Sequence, residues 1–321
     1  MKKTEATPKK LHIKKIISWA LTAVVLVLMG WYLWRNQEIF EHLKRIRTID
    51  LVIIALLQPI NIVIGAVINK LIIDRIDQTI PLADAVMLQF VNNFLNRFIS
   101  EGGAVYRGAY LKTQYAFPLS KFLASLGGVY IISLMTNALL GLGFSLVMFL
   151  QFQTYNLYLI LAFGLLFSGA LLMILIHPEF KSEKWLFRKL NQVMLGWNTI
   201  KSNRKLVLSI FFLSCLGLLN SSIIVRTVYQ SLGWDIPFFN ALFYSTISSI
   251  ANVINLTPGG LGINEAILMF SSDIIGLTSE IILLGALLLR AISMITTLSI
   301  GGVSYAILNY RLQKSGEPKK E

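Results

Sequence analysis

The sequence predicts an all-α integral membrane protein. Six full spans and two hairpins of short, re-entrant or broken helices are expected, with the hairpins forming an inverted repeat. Three observations predict this. The 321-residue chain is 55% hydrophobic and 14% charged, whereas soluble domains carry about 25% charged residues. Several apolar runs reach the roughly 20 residues needed to cross a bilayer. One short pattern also occurs twice, 156 residues apart. Ile80, Pro81, Ala85 and Asn96 lead into Gly102-Gly103, and Ile236, Pro237, Ala241 and Asn252 lead into Pro258-Gly259-Gly260. Repeats containing glycine- or proline-broken apolar segments mark transporter-like architectures.

The elements follow in chain order. Residues 1–15 are a basic tail with Lys2, Lys3, Lys9, Lys10, Lys14 and Lys15. The apolar stretch 16–34 is too long for a signal-peptide core, and Arg35-Asn36-Gln37-Glu38 lacks a small-residue cleavage site. It reads as an uncleaved first span with its basic end in the cytoplasm. The other spans are expected at about 51–73, 121–150, 157–176, 206–232 and 280–310. Residues 35–50 form an amphipathic connector. The uncharged segment 151–156 suits the outside, and loop 177–205, with Lys181, Lys184, Arg188, Lys189, Lys201, Arg204 and Lys205, suits the cytoplasm. Within that loop Leu186, Leu190, Val193 and Trp197 share one face, which predicts an interfacial helix. The tail 311–321 is again basic and cytoplasmic. The membrane domain thus covers 16–310, with halves of about 16–150 and 157–310.

Loop parity then places the glycine segments. Residues 82–118 start and end on the inner side, and residues 238–278 start and end on the outer side. Each is too short for two comfortable spans with a turn. Hairpins entering from opposite faces satisfy both limits, and irregular backbone at that depth must be covered by protein or line a cavity. Arg35, Lys44, Arg45 and Arg47 fall outside in this count and oppose it, but the six N-terminal lysines prevail.

Several function classes are excluded. The net charge of +13 sits largely in the tails and one loop, which points to anionic lipid and topology. No segment supplies the folded basic surface that nucleic acid requires. Cys215 is the single cysteine, so no internal disulfide or thiolate metal site forms. His12, His42 and His177 lie far apart at segment ends, and no metal site or cofactor is expected. Ser202-Asn203-Arg204-Lys205 has the form S-x-x-K but stands in a basic loop without partner motifs. No P-loop, dinucleotide fingerprint or HExxH occurs, and no catalytic residue is expected.

The candidate chemistry is binding. Pro258-Gly259-Gly260-Leu261-Gly262 should stop one helix, and Ile263-Asn264-Glu265 should start another. A helix start inside the membrane presents unpaired N–H groups and a positive dipole end, a seat for phosphate or carboxylate. Glu265 either caps its own helix or takes part in that seat. Arg290, roughly ten residues into the last span, must pair or face a cavity, and Glu265 is its expected partner. The first hairpin gathers Asn96, Arg97, Glu101, Gly102, Gly103 and Arg107. That polar density reads as a cationic vestibule for an anionic head group, or as a basic loop set by topology. The expected substrate-binding set is Asn96, Arg97, Gly102, Gly103, Arg107, Pro258, Gly259, Gly260, Gly262, Asn264, Glu265 and Arg290.

The stretch Thr257-Pro258-Gly259-Gly260-Leu261-Gly262-Ile263-Asn264-Glu265-Ala266 resembles the signature of the lysylphosphatidylglycerol synthase transmembrane family, also called flippase-like domain proteins. Gly103-Ala104-Val105-Tyr106-Arg107 with Tyr110-Leu111 is similar to that family's first motif, and Arg290 to its last-helix arginine. The resemblance spans about 16–310 and implies an all-helical fold with about eight membrane helices. Three departures stand out: Ala104 where the family often has an acidic residue, Gly127-Gly128-Val129 in place of a Glu-Arg pair, and Asn264 in place of Arg. The head group handled is therefore expected to differ from lysylphosphatidylglycerol. The implied function is movement of an anionic phospholipid or lipid-linked precursor between leaflets of the cytoplasmic membrane. Its partners are anionic lipids and a lipid- or glycan-modifying enzyme. Two alternatives remain, a membrane component of lysylphosphatidylglycerol synthesis and a non-transporting scaffold. In the family the lysyltransferase chemistry belongs to a separate soluble domain. The chain ends at Glu321, about ten residues past its last span, so enzyme activity is not expected.

Overall fold

A computed structural model describes residues 37–76, 79–99, 101–152, 157–176, 185–254 and 262–316, with isolated positions between 27 and 35. Every regular element among them is helical. A short 3-10 helix, Gln37–Arg45, precedes α1 (Thr48–Ile76), α2 (Leu82–Phe98), α3 (Gly102–Tyr115) and α4 (Leu119–Phe152). Then come α5 (Leu157–Ile176), α6 (Trp185–Ile200), α7 (Arg204–Ser231), α8 (Phe238–Ile254), α9 (Ile263–Phe270), α10 (Ser272–Ile275) and α11 (Ser279–Gly316).

Four helices, α1, α4, α7 and α11, are long and apolar enough to cross a membrane. At 1.5 Å per residue the 29 residues of α1 reach about 44 Å, more than the hydrocarbon core. The chain is a multi-pass integral membrane protein. Of the other two expected spans, 16–34 lies almost wholly outside the described residues. Segment 157–176 is helical as α5, but its described apolar stretch, Ile160–Leu172, is shorter than the four.

The glycine segments form two helical pairs, α2 with α3 and α8 with α9. Both pairs start the same way. The N–H groups of Asp84 and Ala85 bond to Pro81 O at 3.1 and 3.1 Å, and those of Asn240 and Ala241 to Pro237 O at 3.0 and 3.2 Å. Proline suits this place because it needs no donor of its own and presets the entering backbone. Helices α2 and α8 are displaced by 156 residues at both ends (238 − 82 and 254 − 98). Helix α7 likewise begins 156 residues after α1 (204 − 48). The repeated Ile80 and Ile236 are 3% and 2% exposed, and Ala85 and Ala241 are 5% and 0% exposed, so the pattern marks equivalent core positions.

The packing is also paired. Helix α1 lies on α7, and α1 on α2 is matched by α7 on α8. Helix α2 packs on α11, and α8 packs on α4. One apolar core, with Leu88, Tyr110, Leu111 and Phe117, binds the first pair to Leu308 of α11. Another, with Phe144, Phe163, Tyr229, Phe243 and Leu268, binds the second pair to α4, α5 and α7. The rings of Phe144 and Phe243 stack at 4.7 Å.

Loop 177–205 does contain a helix, α6, but α6 packs along α4. Its inner side includes Met194, Gly196 and Ile200, all buried, with Trp197 half-buried. The side chains of Leu186, Leu190 and Val193 lie outside the described residues. A Cβ on Gly196 would come within 2.1 Å of Gly128 N and 2.2 Å of Ala124 O. Small residues on both helices allow this backbone approach, as membrane helix contacts favour.

Candidate functional site

Each long helix carries polar residues near its middle: Gln58 and Asn61 on α1, Ser133 and Asn137 on α4, Ser214 and Ser221 on α7, and Arg290, Ser293 and Thr297 on α11. All of them line a single cavity of about 570 Å³. That size falls within the usual range for small-molecule sites. These positions sit near the middle of their helices, so the cavity lies at mid-membrane depth. Gln89, Asn93 and Arg97, spaced by four on α2, form its wall from the first pair. Tyr244, Ser245, Ser248 and Ser249 of α8, with Asn264 and Glu265 of α9, form its wall from the second.

The second pair delivers the strongest electrostatic feature. Glu265 Oε1 meets Arg290 Nη2 at 2.8 Å, with both side chains largely buried. Its other oxygen accepts the N–H of Gly262 at 2.8 Å. Glu265 therefore uses one oxygen to cap α9 and the other to pair with Arg290, its expected partner. Gly262 takes φ 81°, a left-handed conformation that glycine adopts without strain. The first pair delivers Arg97, whose guanidinium donates to Ser293 Oγ at 2.5 Å. Arg97, Arg290 and Glu265 are close enough to interact electrostatically.

Polar wall groups also bond across helices. Asn61 Nδ2 donates to Ser221 Oγ at 2.9 Å, tying α1 to α7. Gln58 Nε2 donates to Leu289 O at 3.2 Å, tying α1 to α11. Helix α1 runs through Pro59 beside these groups, and proline's missing N–H leaves one carbonyl of the preceding turn without its helical partner.

Of the twelve site residues read from sequence, Arg97, Asn264, Glu265 and Arg290 line the cavity. Asn96 instead holds the first pair together, its Oδ1 accepting Gly103 N–H at 2.8 Å at the start of α3. Gly103 gives way to that same helix, since a Cβ there would lie 2.1 Å from Asn92 O. Gly102 opens α3 and packs on Ile99. Arg107 lies behind the wall. It is 5% exposed and does not line the cavity. Its Nη1 donates to Gln89 Oε1 at 2.9 Å and its guanidinium lies 5.3 Å from the Phe122 ring centre. It supports a wall residue from behind, and Arg97 is the cation of the first pair that reaches the cavity. Gly262 acts through backbone geometry. Pro258, Gly259 and Gly260 lie outside the described residues.

The sequence reading missed the amides of the long helices, above all Gln58, Asn61 and Asn137. The signal was available: a primary amide in an otherwise apolar span faces the protein interior. Among the described residues no three His, Cys, Asp or Glu side chains cluster as metal ligands.

An all-helical membrane domain with a polar mid-depth cavity between two helical pairs defines the class of protein. The chain belongs to the lysylphosphatidylglycerol synthase TM region family, whose sequence profile matches residues 16–301. No curated protein and no solved structure matches the chain.

Proposed function

We propose that this protein moves an anionic phospholipid or lipid-linked precursor between the two leaflets of the cytoplasmic membrane. One observation carries the reading: a polar cavity of about 570 Å³ at mid-depth, walled by both helical pairs and holding the Glu265–Arg290 ion pair. The hydrocarbon core bars a charged head group, and a polar wall at that depth supplies what lipid tails lack. The acyl chains stay in the surrounding lipid.

The two halves are read as an inverted repeat. Support comes from the 156-residue register shared by α2 and α8, and from the opposite sides that loop charge assigns to the two pairs. Rocking of such halves about a central site would expose it to each side in turn. Both termini are placed in the cytoplasm, because the basic residues concentrate there. The cavity is assigned binding and passage, with no catalytic step.

A second reading, a non-transporting part in lysylphosphatidylglycerol synthesis, draws on the family name alone. Reconstitution separates the two. Purified protein in phosphatidylcholine vesicles carrying trace labelled anionic lipid should carry label between leaflets. Unchanged label beside a correctly inserted protein would favour the second reading.

A further inference from the structure

The wall chemistry of the cavity narrows the head group, given the reading that this cavity is the transport site. Its charged groups among the described residues are Arg97, Arg290 and Glu265. Glu265 neutralises Arg290 at 2.8 Å. Arg97 bonds the neutral Ser293 hydroxyl, and no carboxylate among the described residues pairs with it. The cavity therefore presents one uncompensated positive charge.

The neutral wall asks for donors. Asn61 Oδ1, Asn137 Oδ1 and Asn264 Oδ1 are buried without a hydrogen-bond partner, and all three residues line the cavity. In Asn137 the free end of the amide is the oxygen, because its Nδ2 donates to Ser133 O at 2.7 Å. A buried acceptor without a donor is unfavourable and calls for a ligand or water. A phosphate brings acceptors only. Hydroxyl groups bring donors, and a small side-chain rotation lets each amide oxygen receive one. An ammonium also donates, but it meets a wall that is already positive.

We propose that the cavity takes a head group with one negative charge and several hydroxyls, a polyol or sugar joined to the lipid by a phosphodiester. The phosphate seats at Arg97, and the hydroxyls seat along Asn61, Asn137 and Asn264. A soluble polyol phosphodiester shares this chemistry. The depth of the cavity among apolar helices favours the lipid form.

The test is equilibrium binding to the full-length protein in phosphatidylcholine nanodiscs. Phosphatidylmethanol, phosphatidylglycerol and phosphatidylinositol keep one charge while hydroxyls increase. Affinity should rise by about tenfold or more across that series. An uncharged glucosyl diacylglycerol should bind about tenfold more weakly than phosphatidylinositol. Arg97→Gln should erase the advantage of phosphatidylinositol over the glucosyl lipid, and Arg97→Lys should restore part of it. Asn137→Leu should flatten the hydroxyl ranking and keep the preference for charge. Equal wild-type affinity for phosphatidylmethanol and phosphatidylinositol would overturn the assignment, as would tighter binding of lysylphosphatidylglycerol. Competition by glycerophosphoinositol as strong as by phosphatidylinositol would overturn the lipid form. The expected ranking without translocation would sink the transport reading alone, and translocation with a flat ranking would sink the head-group assignment alone.

Discussion

Glu265 has both carboxylate oxygens committed, one to Gly262 N–H and one to Arg290. A buried pair of this kind is weak evidence for net stability, but removal of one partner strands a charge and costs roughly 3–5 kcal/mol. Glu265→Gln and Arg290→Met should each lower the melting temperature and the folded yield in detergent. The double substitution should recover part of the loss. Strictly additive losses would show that the two groups do not couple in the membrane. This pair was legible in the sequence, because an arginine at mid-span needs a partner and one acidic residue stood at a helix start nearby. The choice between Arg97 and Arg107 was not. Both lie ten residues apart around one turn, and only the fold shows that four-residue spacing puts Arg97 on the face of Gln89 and Asn93 while Arg107 turns to Phe122.

At the scale of elements, Gly128 has a packing role. Gly128 receives α6 at Gly196, so α4 and α6 are joined by close backbone contact. Gly196→Leu should drive the helices apart and destabilise the fold by about 1–3 kcal/mol or more. Gly143→Leu, on α4 with nothing within 4 Å of a built Cβ, should leave the melting temperature unchanged. Equal stability of the two variants would remove the contact's importance. Helix-by-helix, the sequence located α1, α4, α7 and α11 well, because long apolar runs have few alternative fates. It predicted the helix α6 from a one-sided apolar pattern, which does not by itself show that α6 also packs along α4.

The sidedness of the pairs is also an element-scale matter. Thr79 and Asp235 are both exposed, each two residues before its proline, Pro81 or Pro237. In a Cys215→Ala background, a cysteine at Thr79 should react with an impermeant thiol reagent only from the cytoplasm, and one at Asp235 only from outside. Reaction of both from one side would end the inverted-repeat reading.

At the scale of the whole molecule, the parts converge on one polar cavity. The duplicated sequence pattern turned out to specify the entry of each helical pair and its core contacts. The polar wall of the cavity is built largely from amides and serines scattered across the four long helices and both helical pairs, and no local motif links them. The most direct measurement is leaflet exchange of labelled phosphatidylglycerol and phosphatidylinositol in phosphatidylcholine vesicles. Four proteins would be compared: wild type, Arg97→Gln, Gly262→Val and the control Lys205→Gln, at an exposed position in the first turn of α7, each checked for insertion. Wild type and Lys205→Gln should move at least one of these lipids well above protein-free vesicles. Arg97→Gln and Gly262→Val should fall by about tenfold or more, the value of one lost charge-assisted contact or of a displaced helix start. Movement by inserted Arg97→Gln and Gly262→Val at the wild-type rate for both lipids would contradict passage through this cavity.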